Sequence, residues 1–435
     1  MKTKSFLLIV IGLLVSGTLM SQHSFQSLDE IWNYALTHNV ENQIKQLQVN
    51  QAVQDKKAAG SFLFPKITVG MNGQDNVDIS ETPVPGELIG KPGETVYMKF
   101  GSQYAYNAGI DVSYNLLDWQ LIYQSKIAAT NLELKKAGQS YFGQSLKEQL
   151  AQLYFASLTA EKAVRIGIED LASADTLLSL IKDRFHQGIT DEIAVNQAQI
   201  KRNSVYEQLE STRQYRNECL NNLKILLALD VNAELNLTED LSVQALSDEP
   251  EELLPNHRLT EQFRIQDKLS EYETKKTKAA SAPKIGFKAY FGNNQFQDDF
   301  SLSFKSSDWS PNNYIGMSVS MPVFTGFSNK SKVKSAKIDR EITEYSYREQ
   351  LRKSVINDSL LQQSYARSVK VSASSFETFQ LSKKNIQLAD LKYKEGLLSL
   401  DGYLKIFDDY LSAESQYLNR LSEFFTNKAT IESRK

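Results

Sequence analysis

This 435-residue chain carries its own pattern twice, and that duplication limits the fold more than any other feature. Phe64-Pro65-Lys66-Ile67 returns 218 positions later as Ala282-Pro283-Lys284-Ile285. Upstream, His38-Asn39 lies 217 positions before Pro255-Asn256, each near the start of a charged helical stretch. Downstream, Tyr106-Asn107-Ala108-Gly109-Ile110 answers to Asn313-Tyr314-Ile315-Gly316-Met317. Arg184-Phe185-His186-Gln187-Gly188 answers to Lys392-Tyr393-Lys394-Glu395-Gly396. Four pairs in one order, at offsets of 207 to 218, describe a tandem duplication rather than coincidence.

Each half reads as helix, two strands, very long helix, tight turn, helix. From Asp118 to His186 there are 69 residues without proline, rich in Ala, Leu, Gln, Lys and Glu. As one helix they span about 104 Å; Gly138, Gly143 and Gly167 weaken it without ending it. A return helix runs from Glu192 to near Leu229, and an entering helix from Ser27 to Phe62. The second half repeats this with Asn256–Ala280 entering, Ser328–Lys394 long and Ser399–Glu432 returning. A helix of such length cannot bury an apolar stripe alone, so extended antiparallel packing is expected.

The strands alternate cleanly. Tyr104, Tyr106, Ala108, Ile110, Val112, Tyr114 and Leu116 interleave with Ala105, Asn107, Gly109, Asp111, Ser113 and Asn115. Ile315, Met317, Val319, Met321 and Val323 interleave with Gly316, Ser318, Ser320 and Pro322. Ile67, Val69 and Met71, and later Ile285, Phe287, Ala289 and Phe291, mark the preceding strands. Period-2 segments have one apolar and one polar face. They also match the ~9–11 residues of a tilted membrane-spanning strand. A half-buried soluble sheet is the alternative. Two features favour the membrane: the long loops Val77–Gln103 and Asn294–Asn312 lie at one end, and Tyr104, Trp119, Tyr123, Trp309 and Tyr314 cluster at strand ends.

The N-terminus reads as a signal peptide over 1–21: Lys2 and Lys4, the apolar run Phe6–Val15, then small residues before Gln22. The repeats follow as 22–229 and 256–435. Between them, 230–255 is acidic, with Glu234, Glu239, Asp240, Asp248, Glu249, Glu251 and Glu252, and reads either as an irregular belt or as a solvated linker.

Composition removes most site chemistry. Lys+Arg total 49 against 52 Asp+Glu, a balance that offers nothing to nucleic acid. The lone Cys219 excludes an internal disulfide, and it reads as a buried small side chain among Leu220, Leu223 and Leu226. The four histidines are scattered, so no metal or cofactor site and no enzyme is expected. The carboxylate pairs Glu251-Glu252, Asp298-Asp299 and Asp408-Asp409 read as solvated surface. There is no glycine-rich phosphate loop, so any energy-consuming step would have to draw on a partner.

Four strands cannot close a barrel, which needs about eight, and open edges are not tolerated in lipid. Membrane-spanning strands here would therefore have to be pooled from several chains, in multiples of four, and each chain would bring two helical hairpins. The product is a conduit.

At this point the chain resembles the TolC family of outer membrane efflux proteins, over essentially all of its mature length. The resemblance rests on the duplicated strand-pair and long-helix halves, on the strand entries Pro65-Lys66 and Pro283-Lys284, and on the helix-tip turns. Arg184-Phe185-His186-Gln187-Gly188, with Ala198-Gln199 beyond it, fits the family tip, and so does Lys392-Tyr393-Lys394-Glu395-Gly396 with Ser399. The resemblance implies a mostly α chain with transmembrane β-strands, a homotrimer with a shared 12-stranded β-barrel, and an α-barrel tunnel of 12 helices. It implies a passive export channel of a tripartite efflux or type I secretion system in the outer membrane of a Gram-negative cell. The tunnel would stand in the periplasm and take substrates from a periplasmic adaptor (membrane fusion) protein and an inner-membrane pump. Gly188, Ile189, Thr190, Gly396, Leu397, Leu398 and Ser399 would form the adaptor-contact tips, with the apolar and small groups exposed. In some family members aspartates ring the periplasmic aperture; the matching places here hold Gly402 and Lys405, leaving Asp401, and Asp191 at the first tip, as aperture carboxylates or as helix N-terminal acids. The competing reading is an exported, non-conducting coiled-coil structural or adhesion protein.

Overall fold

The computed structural model describes residues 22–239, 241 and 255–434. The expected signal peptide, and Asp240, Asp248, Glu249, Glu251 and Glu252 of the linker, lie outside the described residues. In chain order the elements are β1 (Gln22–Phe25), α1 (Leu28–His38), α2 (Val40–Ala59), β2 (Lys66–Asp75), β3 (Glu81–Pro85), β4 (Thr95–Lys99), β5 (Tyr104–Leu117), α3 (Trp119–His186) and α4 (Glu192–Leu227). They continue with β6 (Glu234–Leu237), α5 (His257–Ala279), β7 (Lys284–Gln297), β8 (Ser310–Ser320), α6 (Ser328–Lys394) and α7 (Leu400–Glu432). No helix among the described residues is long and apolar enough to cross a membrane. Among the described residues two compact units emerge, one from the stretches up to 49, within 135–263 and from 347 on, the other from 50–134 and 264–346.

The second unit holds the repeated strands. They form one antiparallel sheet in the order β2-β5-β7-β8, so β2 and β8 are unpaired edges. β8 stops at Ser320 rather than running on to Val323, because Pro322 has no N–H to give the ladder. Neither long loop is featureless. Residues 77–103 contain the β3–β4 hairpin, and β7 extends to Gln297, three residues past Asn294. Lys284 of the repeated Pro-Lys entry bonds Asp118 (3.1 Å) and the Gln120 amide oxygen (2.7 Å) where β5 turns into α3.

The first unit is helical, with one core drawn from α1, α3, α4, α6 and α7. The buried positions of α7 repeat at three and four residues: Tyr403, Phe407, Tyr410, Glu414, Tyr417, Leu421 and Phe424. This is the spacing of a coiled-coil seam. The entering helix expected over 27–62 is broken at Asn39, whose backbone turns extended (ψ 123°). Asn39 Nδ2 donates to the Leu226 carbonyl of α4 (2.8 Å), while its Oδ1 accepts from the Asn42 N–H (2.9 Å) and so starts α2. Part of the linker is ordered: β6 pairs in parallel with β1 from Gln22↔Glu234 to Phe25↔Leu237. Glu239 accepts a hydrogen bond from the buried Tyr154 hydroxyl (2.5 Å). Cys219 is buried, as its leucine neighbours led us to expect.

Candidate functional site

Apart from a register shift at Asn115–Leu117 near the end of β5, the register of the sheet sorts its side chains between two faces. Residues directly opposite one another share a face, and the rows Ile67–Val112–Ala289–Ile315 and Val69–Ile110–Phe291 are apolar across neighbouring strands. Tyr114, Phe287 and Met317 extend that face towards the helices, while Asn293, Gln295 and Asn313 end it towards the loops. The alternate rows are polar or small: Asn72–Asn107–Asn294–Ser310, Thr68–Asp111–Tyr290–Tyr314 and Gly70–Gly109–Gly292–Asn312. Strand charges follow the same division. Lys66, Asp111, Lys284 and Lys288 lie on the polar face, and only Asp75, at a strand end, shares the apolar one.

Much of the apolar face is left open by the rest of the chain, although Ala289 and Tyr106 within it are buried. Val69 is 77 % exposed and Met317 70 %, with Ile67, Ile315 and Val319 comparably open. An exposed apolar surface of this extent marks a binding or membrane surface. On the polar face Tyr290 lies across the facing glycines: a Cβ at Gly109 or Gly292 would meet its hydroxyl at 2.6 Å. Tyr290 also stacks on Tyr314, ring centroids 5.7 Å apart.

The two helix turns belong to the helical unit and are built alike. After α3, Gly188 takes φ 70°, its N–H bonds the Phe185 carbonyl (2.9 Å), and the Ile189 N–H reaches back to Arg184 (2.8 Å). After α6, Gly396 takes φ 75°, with Gly396 bonded to Tyr393 (3.1 Å) and Leu397 to Lys392 (2.8 Å). Both are Schellman caps, which need a left-handed residue at the turn. Asp191 Oδ1 accepts from the Ala194 N–H (2.9 Å) to start α4, and Ser399 Oγ accepts from the Gly402 N–H (3.2 Å) to start α7. Arg184 joins the turns. It donates to the Tyr393 and Lys394 carbonyls (3.1 and 3.0 Å) at the end of α6 and stacks on the Tyr393 ring at 4.8 Å. Ile189 and Leu397 project into solvent, 67 % and 76 % exposed, and Thr190 is half-buried. Leu398, expected to be exposed, is instead half-buried, packed against the hydrophobic core just before the Ser399 cap of α7.

Nothing lies within 4 Å of a Cβ built at Gly396, so Gly396→Ala meets only the left-handed backbone cost. It is expected to destabilise the turn by about 1 kcal/mol. Faster hydrogen exchange at the 396 and 397 amides, with the global melting temperature little changed, would report this.

The two faces of the sheet and the doubled turn coincide with a known architecture. Residues 33–229 match the family model "Outer membrane efflux protein". That match identifies the first repeat of the chain with the outer membrane efflux proteins. No curated protein matches it. Among solved structures, the fold of the chain is similar to the Campylobacter jejuni CmeC outer membrane channel, with TM-score 0.77 and 17% identity over 94% of this chain and 85% of that one. It is similar to the open state of the Neisseria gonorrhoeae MtrE outer membrane channel (TM-score 0.74, 18% identity, 94% and 88% covered). It is similar also to the outer membrane protein VceC from Vibrio cholerae (TM-score 0.70, 17% identity, 94% and 95% covered).

Two further side-chain pairings could not be read from the sequence. Asp408 is solvent-exposed, as read from the sequence, but it also pairs with the largely buried Lys201 of α4, whose ammonium lies 5.1 Å from the Phe407 ring centre. Asp170 of α3 and Glu414 of α7 are buried side by side, although 244 positions separate them. The signal for Glu414 was present: it fills a seam position otherwise given to aromatic and aliphatic side chains.

Proposed function

We propose that this chain is the outer-membrane duct of a tripartite efflux or type I secretion system. Three copies pool their four-stranded sheets into one 12-stranded barrel, with the apolar face towards lipid and the polar face towards the pore. The observation that carries this reading is the exposed, nearly charge-free face on a sheet with two open edges. A soluble sheet would bury that face, and a membrane sheet would have to close its edges against other copies.

The helices support the same assembly. Exposed apolar residues recur at coiled-coil spacing on α6 (Ile356, Leu360, Leu381, Leu388, Leu391), and Val40, Ile44 and Leu47 form a second such stripe on α2. These stripes pack copy against copy to form the tunnel wall. The turns at Gly188 and Gly396 form the periplasmic mouth, where exposed Ile189 and Leu397 meet the adaptor protein and an inner-membrane pump supplies the energy. Asp191 is held in its cap, so Asp401, exposed in the first turn of α7, is the carboxylate free to form a ring at the mouth. A non-conducting coiled-coil protein has no use for an uncovered apolar sheet face.

The test is extraction from outer membranes in mild detergent, with the oligomer mass taken after subtracting bound detergent. A species of three chain masses that aggregates without detergent and conducts ions in planar bilayers is expected. A detergent-independent monomer or dimer would overturn the duct.

A further inference from the structure

We propose that Asp170 and Glu414 form one protonation site, a proton held between two buried carboxyls, and that this proton controls how tightly α7 packs on α3. Asp170 is 6 % exposed and Glu414 7 %. The two side chains lie beside each other and beside the Tyr410 hydroxyl, close enough to interact. Two carboxylates cannot bond each other, since both are acceptors only. Accordingly Glu414 Oε2 is buried and meets no donor unless one member of the pair carries a proton. Both acids line a groove of about 630 Å³ between α3, α4 and α7, which gives the proton a route to solvent.

The surrounding charges leave the proton as the natural partner. Lys383 faces the pair from α6 but is exposed and acts only at a distance, and Glu169 on α3 adds negative charge. Lys201, on the α4 wall of the groove, is held by Asp408. Burial, then the neighbouring acid, pushes Glu414 up to about 8, and burial likewise raises Asp170. The folded-state values lie above those of the unfolded chain, so the folded state holds protons that the unfolded state has already lost. Stability from this site is therefore full below the ordinary carboxylate range and declines as pH rises towards about 8.

The full chain in detergent micelles provides the test. Its melting temperature is expected to fall by several degrees between about pH 5 and about pH 8.5. Glu414→Gln, which keeps the shape and can donate to Asp170, flattens that slope, and Glu414→Leu raises the alkaline melting temperature by restoring the apolar seam. Infrared spectra of the native chain at neutral pH should contain a protonated-carboxyl stretch that titrates away in alkali and is missing from Glu414→Gln and Asp170→Asn. Parallel pH slopes in native and Glu414→Gln chains would overturn the proposal. If the variants do not fold, absence of the band from the native chain would do the same.

Discussion

Met317→Lys should abolish accumulation of the protein in the outer membrane, while Ser318→Lys, one residue along the same strand, should leave it nearly unchanged. Successive side chains of β8 point to opposite faces, so the two lysines sample the two environments at almost the same depth. Met317 is opposite Phe287 on the apolar face; Ser318 is opposite Gly286 on the polar one. A lysine facing lipid near the bilayer midplane costs about 2–4 kcal/mol, falling towards the interfaces. Under the proposed three-copy barrel the cost would recur in each copy, whereas a lysine at 318 joins Lys284 and Lys288 on a face that already carries charge. The measurement is the amount of detergent-extractable oligomer in outer-membrane fractions. Equal loss from both variants would mean that the exposed apolar face does not meet lipid.

The duplication, the long helices and the strand faces could all be read from local pattern. The second long helix, written from Ser328 to Lys394, has those ends in the structure, since no proline interrupts it and Gly396 supplies the left-handed stop. The β5 alternation holds from Tyr104 to Asn115, because period 2 is a property of neighbouring residues alone; a register shift then puts Leu117 rather than Leu116 opposite Ile285. What could not be read depends on distant partners. Asn39 breaks a helix because it bonds Leu226, 187 positions away, and an isolated asparagine carries no sign of that bond. β6 is a strand only because β1 lies beside it. Arg184 was visible as part of a tip motif, but its grip on the far end of α6 needed the two turns brought together. Glu414 lies between these cases: its seam position was legible, and its pairing with Asp170 was not.

Phe424→Ala should be among the most destabilising single substitutions in the helical unit, and Leu397→Ala among the mildest, although both remove a large apolar side chain. Phe424 is fully buried in the α7 seam. Its ring stacks on Tyr365 of α6 at 5.8 Å and meets Phe425 edge-on at 5.1 Å, and Phe425 in turn stacks on Phe155 of α3 at 5.0 Å. Truncation therefore opens a cavity where three helices converge and removes aromatic contacts from two of them. Buried Phe→Ala changes cost about 3–5 kcal/mol, because the surroundings relax only partly into the space left. Leu397 has already lost little water on folding, so its truncation should stay within about 0.5 kcal/mol. Under the proposed function the order reverses for partner binding: Leu397→Ala weakens adaptor capture by a folded channel, while Phe424→Ala lowers the amount of folded channel and leaves the affinity of what remains unaltered. Thermal melts beside adaptor pull-downs normalised to folded protein separate the two effects. A Leu397→Ala channel that binds adaptor as well as the native chain would remove the second turn from the contact surface, and a Phe424→Ala chain that melts like the native one would show that the α7 seam does not hold the hairpin together.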